Sequence, residues 1–268
     1  MPLDEATKAK AKRELNEPDD IEPSLANLRN NFVDAVGEND ANRFQWALLA
    51  SLRQAKWNEV KALEKMKALH KFAKKHPELF NDLSAEEFIG QAKIGVTSHL
   101  PARNNRGELV LLIHGEPMAA LAKKYSMRDL LRFSVFYMSE LMVEEETQVN
   151  GVIILENLRN YPITALNKMS GVGLSGMRAS FDWLGVSPMR LRGIYACHQP
   201  WYVNIMLALV RPFMSRKLRD RLKFFGSRQQ DMLDAAGLRP EDVPELFGGA
   251  MQSWDPAWYL AGRISQHS

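Results

Sequence analysis

The spacing of apolar residues separates the chain into two parts. Up to residue 85, apolar positions recur every three or four residues between charged ones, as in RFQWALLASLRQA and WNEVKALEKMKALHKFAKKH. That period is typical of amphipathic helices, and the polar stretches GEND and HPELFND interrupt it as loops. The first part is therefore predicted to be all-helical.

From residue 92 onward the pattern changes to short aliphatic runs. AKIGVTSHL, ELVLLIHG, GVIILENL and RLRGIYACH are such runs, and helical stretches such as residues 126–148 separate them. Strands that alternate with helices predict an α/β fold with a mostly parallel sheet covered by helices. We expect the boundary between the two parts near residues 82–92.

Composition and charge narrow the class of protein. The chain has 268 residues, of which 46% are hydrophobic and 25% charged, as is ordinary for a globular protein with a sizeable core. Its net charge is only +3, whereas nucleic-acid-binding domains are usually broadly basic. The single cysteine, Cys197, excludes an intrachain disulfide and is typical of a reducing compartment. Because the N-terminus is not a secretory signal and no apolar run reaches the roughly 20 residues of a spanning helix, we expect a cytoplasmic protein.

The stretch GVGLSG, residues 171–176, matches the Gly-x-Gly-x-x-Gly pattern of dinucleotide-binding folds. That motif requires a strand that runs directly into it, so that the pyrophosphate meets a helix N-terminus. Here the preceding strand is expected to end near Leu158, and positions 190–200 hold no acid for a ribose. We therefore predict no nucleotide cofactor.

The reactive side chains do not form a catalytic group. Cys197 and His198 are neighbours on a predicted strand, so their side chains point to opposite faces and do not make a nucleophile–base pair. His114 and His198 both lie at strand ends, but no acidic or thiol partner with metal-ligand spacing accompanies them. We predict neither a metal site nor an enzymatic activity.

The most apolar run of the chain, WYVNIMLALV, is followed at once by the most basic, RPFMSRKLRDRLKFFG. On a helix with a break near Pro212, positions i, i+3, i+4 and i+7 of the first run share one apolar face. These positions are Val203, Met206, Leu207 and Val210. The first run therefore predicts an amphipathic helix that covers something apolar.

The basic run has two populations of charges when it continues as a helix. Its apolar stripe is predicted to consist of Met214, Leu218, Leu222 and Phe225. Lys217 and Arg221 border that stripe, one helical turn apart. Arg216, Arg219 and Lys223 project from the other side and are predicted to be general surface charge.

A second basic pair lies upstream, in PMRLRG. On an extended strand Arg190 and Arg192 share one face. Guanidinium groups bind phosphate bidentately, and a lysine adds a point charge. From the residues alone, Arg190, Arg192, Lys217 and Arg221 form either an anion site or a solvated basic surface.

The segment MRLRGIYACHQPWYVNIMLALVRPFMSRKLRDRLKFFG, with EEETQVNGVIILENL before it and PEDVPELFGG after it, resembles the CRAL-TRIO lipid-binding family. The similarity is to the branch of tocopherol and retinaldehyde carriers and clavesins, and it covers residues 25–250. It implies a mixed, mostly parallel sheet that forms a hydrophobic cavity under a lid helix at about 199–212. It also implies a helical N-terminal domain at 1–85, the lipid-binding domain at 86–250 and a C-terminal tail at 251–268.

The resemblance implies a function as well. Members carry one lipophilic molecule, tocopherol-, retinoid- or isoprenoid-like, and exchange it at membranes, with phosphoinositide head groups bound in a basic cleft. The cleft would comprise Arg190, Arg192, Lys217 and Arg221. The ligand would lie against Phe133, Ser134, Tyr137, Leu155, Trp183, Met189, Ile194, Val203, Met206, Leu207 and Val210. We expect a monomer, and the alternative to a carrier is an adaptor that senses phospholipids in signalling or trafficking.

Two departures from the family pattern bear on the site. The family element RFLRAR appears here as ALLASLRQAK, so that only Arg53 and Lys56 are available to supply its basic residue. The family element DLEG appears as NLRN, residues 157–160. In addition, the aromatic lid positions of the tocopherol carriers are Val203 and Leu207 here, so the cavity is expected to differ in shape and its ligand to differ from tocopherol.

Overall fold

The computed structural model describes residues 3–162 and 173–267, and it describes the side chains of these residues except at 173–177, 206, 209, 210, 213 and 267. The chain forms two compact units. The first consists of Met1–Asn81, Ser134–Gly151 and Asp182–Arg190. The second consists of Asp82–Phe133, Val152–Phe181 and Leu191–Ser268. The predicted division at residue 85 stays a prediction.

The first unit is helical. Its N-terminal helices are α1 (Glu5–Leu15), α2 (Glu22–Val36), α3 (Glu38–Arg43), α4 (Leu48–Gln54) and α5 (Glu59–Lys75), with 3-10 turns at Gln45–Ala47 and Pro77–Leu79. Helix α5 begins where the Asn58 side chain accepts a hydrogen bond from the backbone N–H of Lys61. Its buried residues recur at helical spacing: Ala62, Met66, Leu69, Phe72 and Ala73.

Two segments from the middle of the chain complete this unit. Helix α8 (Met127–Leu141) ends before α9 (Glu145–Asn150) begins, so the predicted helical stretch 126–148 is two helices. The last residues of α10 (Gly173–Val186) also belong here. The indole of Trp183 in α10 stacks on the ring of Phe72 with 6.1 Å between the ring centroids, which ties this segment to α5.

The second unit contains a five-stranded sheet in the order β1-β2-β3-β4-β5. The strands are β1 (Thr97–His99), β2 (Leu109–His114), β3 (Val152–Asn157), β4 (Leu191–Cys197) and β5 (Leu222–Phe224). Strand β1 is antiparallel to β2, and the other neighbours are parallel. The predicted α/β class with a mostly parallel sheet is therefore confirmed.

Helices and short turns surround this sheet. The helices are α6 (Ala85–Ile94), α7 (Met118–Lys124), the first part of α8, the first part of α10, α11 (Val203–Val210), α12 (Arg216–Arg221), α13 (Gln229–Ala236) and α14 (Trp258–His267). The 3-10 turns are Arg211–Phe213, Pro240–Asp242 and Glu245–Phe247. Among the described helices, none combines the length and the apolar character that crossing a membrane requires.

One prediction about this unit is wrong. The helix expected to continue to Phe225 ends at Arg221, and Leu222–Phe224 form β5, which pairs with β4. The apolar stripe proposed for that helix is thus split between a helix and a strand. Alternation in LKF is too short to be recognised as a strand beside two helical patterns.

The two faces of the sheet pack differently. On the core face, alternate residues of β2, β3 and β4 enter a closed core with α13 and the segment after it: Val110, Leu112, Ile153, Leu155, Tyr195, Cys197, Met232, Leu233, Ala236, Val243 and Phe247. The opposite face carries two rows that follow from the strand register. The rows are Leu111, Ile154, Ile194, Leu222 and Ile113, Glu156, Ala196, Phe224. We call it the α11 face, because α11 packs on it.

Candidate functional site

The α11 face brings together part of the predicted ligand-binding set. Val203 of α11 is buried against Ala196 of β4 and Leu158, and Leu207, one turn further along α11, packs on the same cluster. Ile194 lies two residues before Ala196 on β4 and points to the same face. The predictions for the side chains of Met206 and Val210 lie outside the described residues.

Leu155 does not join this group. It alternates with Ile154 and Glu156 along β3, so it points to the core face, where it packs with Met232 and Phe247. The structure therefore separates Leu155 from Ile194 by the thickness of the sheet. An offset of one residue on a strand is enough to reverse the face.

Four further predicted residues lie in the first unit and are engaged there. The indole N–H of Trp183 donates to the sulfur of Met138 at 3.3 Å, and Met189 is buried while its carbonyl accepts from Gln54 at 2.7 Å. Tyr137 is buried as well. The hydroxyl of Ser134 donates to the sulfur of Met138 at 3.6 Å.

Phe133, by contrast, belongs to the second unit. It is buried, and its ring packs against that of Phe88 in α6 with 5.7 Å between centroids. This contact gives Phe133 a packing role within that unit.

A carboxyl group that the sequence analysis missed lies on the α11 face. Glu156 stands between Ile113 of β2 and Ala196 of β4 in the sheet register. Its carboxyl group forms no hydrogen bond or ion pair with a described residue, and burial alone raises the pKa of this group to about 7. The alternation in VIILEN was the available signal, because it places Glu156 on the same face as Ile154.

Tyr161 is the polar neighbour of this carboxyl. Burial raises the pKa of the Tyr161 phenol to about 12, and the charge of Glu156 contributes to the shift. Tyr202, which precedes α11, donates from its hydroxyl to the backbone carbonyl of Tyr161. The start of α11 is thereby held beside the only carboxyl of the two rows that define the α11 face.

Arg192 and Arg221 form a positively charged pair in the second unit. Desolvation lowers the pKa of the Arg221 guanidinium, and the nearby charge of Arg192 lowers it further. Arg221 makes no hydrogen bond or ion pair with a described residue. Two guanidiniums held close together without full neutralisation attract an anion, because an anion relieves their repulsion.

Helix α12 sets the position of Arg221. The helix begins where the Ser215 hydroxyl accepts a hydrogen bond from the backbone N–H of Leu218 at 3.2 Å, and it ends where β5 starts at Leu222. Because β5 pairs with β4, the end of α12 is fixed next to the strand that carries Arg192. Lys217, one turn before Arg221, is exposed.

Glu108 partly neutralises Arg192. The carboxylate of Glu108 is buried and lies 3.4 Å from Nε of Arg192. It also accepts from Asn104 at 2.8 Å and from Arg106 at 2.9 Å. This buried acid was not identified from the sequence, because it is distant from Arg192 along the chain.

Two other basic candidates, Arg190 and Arg53, lie in the first unit, where acids, an amide or a carbonyl hold their guanidiniums. Arg190 donates to the carbonyl of Val149 and lies 3.7 Å from Glu14. Arg190 is thus paired within its own unit.

Arg53, a candidate for the family's missing basic residue, is only 1% exposed. It donates to Glu17 at 2.7 and 2.8 Å, to Glu145 at 2.8 Å and to Gln148 at 2.8 Å. Its guanidinium is thus committed to internal partners, and Lys56 remains as the exposed candidate.

Two large apolar side chains on the outer side of the α11 segment face solvent. Trp201 is 73% exposed and Ile205 is 55% exposed. They are four residues apart and lie one turn from each other, on the side opposite the buried Val203. Side chains of this kind are typical of surfaces that contact another apolar phase.

Of the reactive residues predicted to form no catalytic group, Cys197 is buried, whereas His114 and His198 are partly exposed. Burial raises the pKa of the Cys197 thiol to about 11, so the thiol keeps its proton at neutral pH. Nε2 of His198 lies 3.0 Å from Arg159, and burial lowers the pKa of His114. In the described part of the chain, no three His, Cys, Asp or Glu residues are grouped so that they would hold a metal ion.

Comparison with known proteins gives consistent matches. The family model described as CRAL/TRIO domain matches residues 97–249. Clavesin-1 of Xenopus laevis is 24% identical over 260 residues, which cover 94% of this chain and 75% of that protein. Clavesin-2 of Homo sapiens is 24% identical over 260 residues, with 94% and 76% covered. The solved structure of Sfh5 aligns over 100% of both chains with a TM-score of 0.53 and 9% identity, which is a similarity of fold.

Proposed function

The chain belongs to the CRAL/TRIO domain family, and from this premise we propose that it binds one lipophilic small molecule on the α11 face and transfers it between membranes. The cargo is tocopherol-, retinoid- or isoprenoid-like, and no covalent chemistry is involved. Helix α11 acts as the lid over the cargo. A phosphoinositide head group in the basic cleft modulates release.

The observation that carries this proposal is the α11 face itself. Seven of the eight residues in its two rows are apolar, and α11 covers part of them through Val203 and Leu207. An apolar face covered by one short helix is suited to a cargo that must be shielded in water and released when the helix moves.

Glu156 gives the site one polar anchor. A ligand hydroxyl on this face would otherwise lose its hydrogen bonds to water at a cost of about 1–3 kcal/mol. The Glu156 carboxyl offers it an acceptor, and a hydroxyl in turn offers a partner to that carboxyl. This favours a cargo with one hydroxyl over a pure hydrocarbon.

Membrane contact is assigned to the outer side of the lid. Trp201 and Ile205 are exposed on adjacent turns, and tryptophan is favoured at the boundary between lipid and water. When these side chains enter the lipid, the inner side of α11 is drawn away from the sheet.

The basic cleft in the second unit is proposed to consist of Arg192, Lys217 and Arg221, and Arg190 remains a prediction from the sequence. Cleft and lid are connected covalently, since residues 211–215 lead from α11 into α12. A bound head group shifts the lid only if it binds the open and closed states with different affinities.

The first experiment identifies the cargo. Purified protein is extracted with organic solvent and the extract is analysed by mass spectrometry, with the Val203→Asp variant as control. A lipophilic molecule enriched in the wild-type extract and lost with the variant supports the carrier. Equal extracts from both proteins would contradict it.

The second experiment tests regulation and separates the carrier from an adaptor. Transfer of the extracted cargo to acceptor vesicles is timed with and without phosphoinositide, for wild type and for the Lys217→Ala/Arg221→Ala variant. We expect phosphoinositide to change the rate for wild type only. Cargo that stays on the protein in the presence of acceptor membranes would favour the adaptor, a function to which the Arg192–Arg221 pair is equally suited.

A further inference from the structure

A pocket lies beside the C-terminal half of α11, where the chain turns into α12. It has a volume of about 310 Å³ and is lined by residues of α11, of α12, of the turn between them and of β5. They are Asn204, Leu207, Ala208, Arg211, Met214, Arg219, Leu222 and Phe224. Asn204 and Ala208 of α11 and Arg211, which follows the helix directly, recur at intervals of four and three residues and so continue one flank of the helix.

The floor and the rim of this pocket differ in polarity. Met214 is buried, and Leu207, Leu222 and Phe224 are partly buried, so the floor is apolar. The rim carries the exposed Arg211 together with the residues described next. The pocket thus combines an apolar base with a charged entrance.

Arg219 is held at that rim by the backbone. Its Nη1 donates to the carbonyl of Met214 at 2.9 Å and to that of Arg211 at 3.4 Å. Because these carbonyls belong to the first residue of the 3-10 turn and to the residue that follows the turn, the guanidinium is oriented at the entrance while its other N–H groups remain available. The sequence analysis had assigned Arg219 to general surface charge.

The charge of the lining is one-sided. Arg211 and Arg219 are both positive, and none of the eight lining residues is acidic. The nearest acid along α12, Asp220, pairs with Arg216 at 4.0 Å instead. A ligand that is complementary to this pocket therefore has a negatively charged end and an apolar end.

We propose that this pocket binds an anionic amphiphile with a single apolar chain, of the fatty-acid class, with its carboxylate between Arg211 and Arg219 and its chain over Met214, Leu222 and Phe224. The pocket shares Leu222 and Phe224 with the α11 face, so this inference rests on the proposed function and adds to it a charged ligand held by Arg211 and Arg219. The occupant contacts α11, α12 and β5 together, so it holds the lid to the sheet and slows the release of cargo.

The size of the pocket indicates the length of the chain. Its volume of about 310 Å³ is at the lower end of the roughly 300–1,000 Å³ typical of small-molecule sites. It corresponds to the liquid volume of about ten water molecules. A medium-chain acid is therefore the appropriate probe, and decanoate and decanol form a matched pair that differs only in the charged end.

The test measures binding of decanoate, decanol and inorganic phosphate to the full chain by titration calorimetry. Wild type is expected to bind decanoate at least about tenfold more tightly than decanol. In Arg211→Gln/Arg219→Gln the affinity for decanoate falls to that for decanol, whose own affinity is unchanged. Phosphate alone binds weakly, because it leaves the apolar floor empty.

Three variants serve as controls. Arg211→Gln keeps the hydrogen bonds that Arg219 donates to the turn, so it tests the anion contact even if the double variant does not fold. Arg216→Gln removes an equal charge from α12 outside the pocket and should change nothing. Ala208→Phe places a large side chain in the pocket from an exposed helix position, and it should weaken the binding of both decanoate and decanol.

Equal affinity of wild type for decanoate and decanol would overturn the proposal. So would decanoate binding that survives Arg211→Gln but is lost in Lys217→Ala/Arg221→Ala, because the anion would then occupy the basic cleft. The carrier function is tested separately by cargo transfer. Transfer without selective decanoate binding contradicts only this pocket, and decanoate binding without transfer contradicts only the carrier.

Discussion

Arg53 of the first unit and Arg221 of the second are both withdrawn from water, but they differ in what surrounds them. Arg53 is 1% exposed and donates to two carboxylates and an amide. Arg221 is half-buried, has no described hydrogen-bonding partner and lies near a second guanidinium. A satisfied arginine stabilises the fold, whereas an unsatisfied one keeps its capacity for a ligand. We therefore expect hydrogen bonding, more than burial, to separate the structural arginine from the one proposed to bind a ligand.

The largest effect is expected when the satisfied arginine is removed. Arg53→Met leaves the largely buried Glu17 and the partly exposed Glu145 without their shared partner. We expect the free energy of unfolding to fall by about 3 kcal/mol, measured by urea denaturation. The control, Arg13→Met, removes an exposed pair with Glu14 and should cost less than about 0.5 kcal/mol. A loss below about 1 kcal/mol for Arg53→Met would show that this cluster is not structural.

The next largest effect on stability is expected for Glu156, an acid whose carboxyl group, like the guanidinium of Arg221, has no described hydrogen-bonding partner. The pKa of its carboxyl is raised from 4.5 to about 7 in the folded protein, so folding favours the protonated form. Stability contributed by this group is present below pH 4.5 and is lost as the pH rises to about 7. Glu156→Gln should therefore be more stable than wild type at pH 8 by about 2 kcal/mol, and no more stable at pH 4.

The measurement for Glu156 is urea denaturation at a series of pH values. Tyr161 and Cys197 do not interfere, because burial raises their pKa values to about 12 and about 11, outside this range. A difference between the two proteins that is the same at pH 4 and pH 8 would mean that Glu156 does not titrate as proposed.

Removing the unsatisfied arginine should affect binding and leave the fold intact. Arg221→Ala is expected to weaken binding to phosphoinositide-containing vesicles about tenfold, measured by co-sedimentation. Its free energy of unfolding should be unchanged or slightly higher, because repulsion with Arg192 is relieved. Arg216→Ala, on the same helix and paired with Asp220, is the matched control. A lower free energy of unfolding for Arg221→Ala than for wild type would mean that Arg221 stabilises the fold, as Arg53 does.

The smallest effect is expected for a change at Glu108, which partly neutralises the positive charge of Arg192. Glu108→Gln keeps the size of the side chain and its hydrogen-bond acceptor but removes the negative charge 3.4 Å from Arg192. Binding of the same vesicles should strengthen about threefold, roughly 0.7 kcal/mol. Weaker binding would indicate that Glu108 positions Arg192 more than it neutralises it.

The sequence predicted the parts of the site whose residues are close together along the chain, and it did not predict contacts between residues that are distant along the chain. Helical spacing placed Val203 and Leu207 together on one side of α11, and the structure packs both on the same cluster. The four-residue basic cleft remains a prediction, because Arg190 belongs to the first unit. The spacing of residues along the chain does not reveal ion-pair partners that are distant in sequence, such as Glu108 for Arg192 and Glu17 for Arg53.

Two local errors had simple physical causes. The strand LKF has three residues and follows a helix directly, so its period was not distinguishable from the helical one. Leu155 was predicted to contact the ligand from the resemblance alone, and in the strand register it lies on the core face, one residue from Ile154 and Glu156 of the α11 face. Glu156 was overlooked in the same strand, although the alternation of side chains along the strand would have placed it on the same face as Ile154.

Strand β5 has a consequence for how this protein behaves when concentrated. It is the last strand of the sheet and has three residues, so the edge it offers to another chain is short. The ammonium of Lys223 lies over the ring of Tyr195, 5.8 Å from its centroid, and places a charge at that edge. Short edges and lysines oppose the pairing of strands between molecules. A chain that exposes the apolar side chains of Trp201 and Ile205 thus carries its own protection against aggregation at this edge of its sheet.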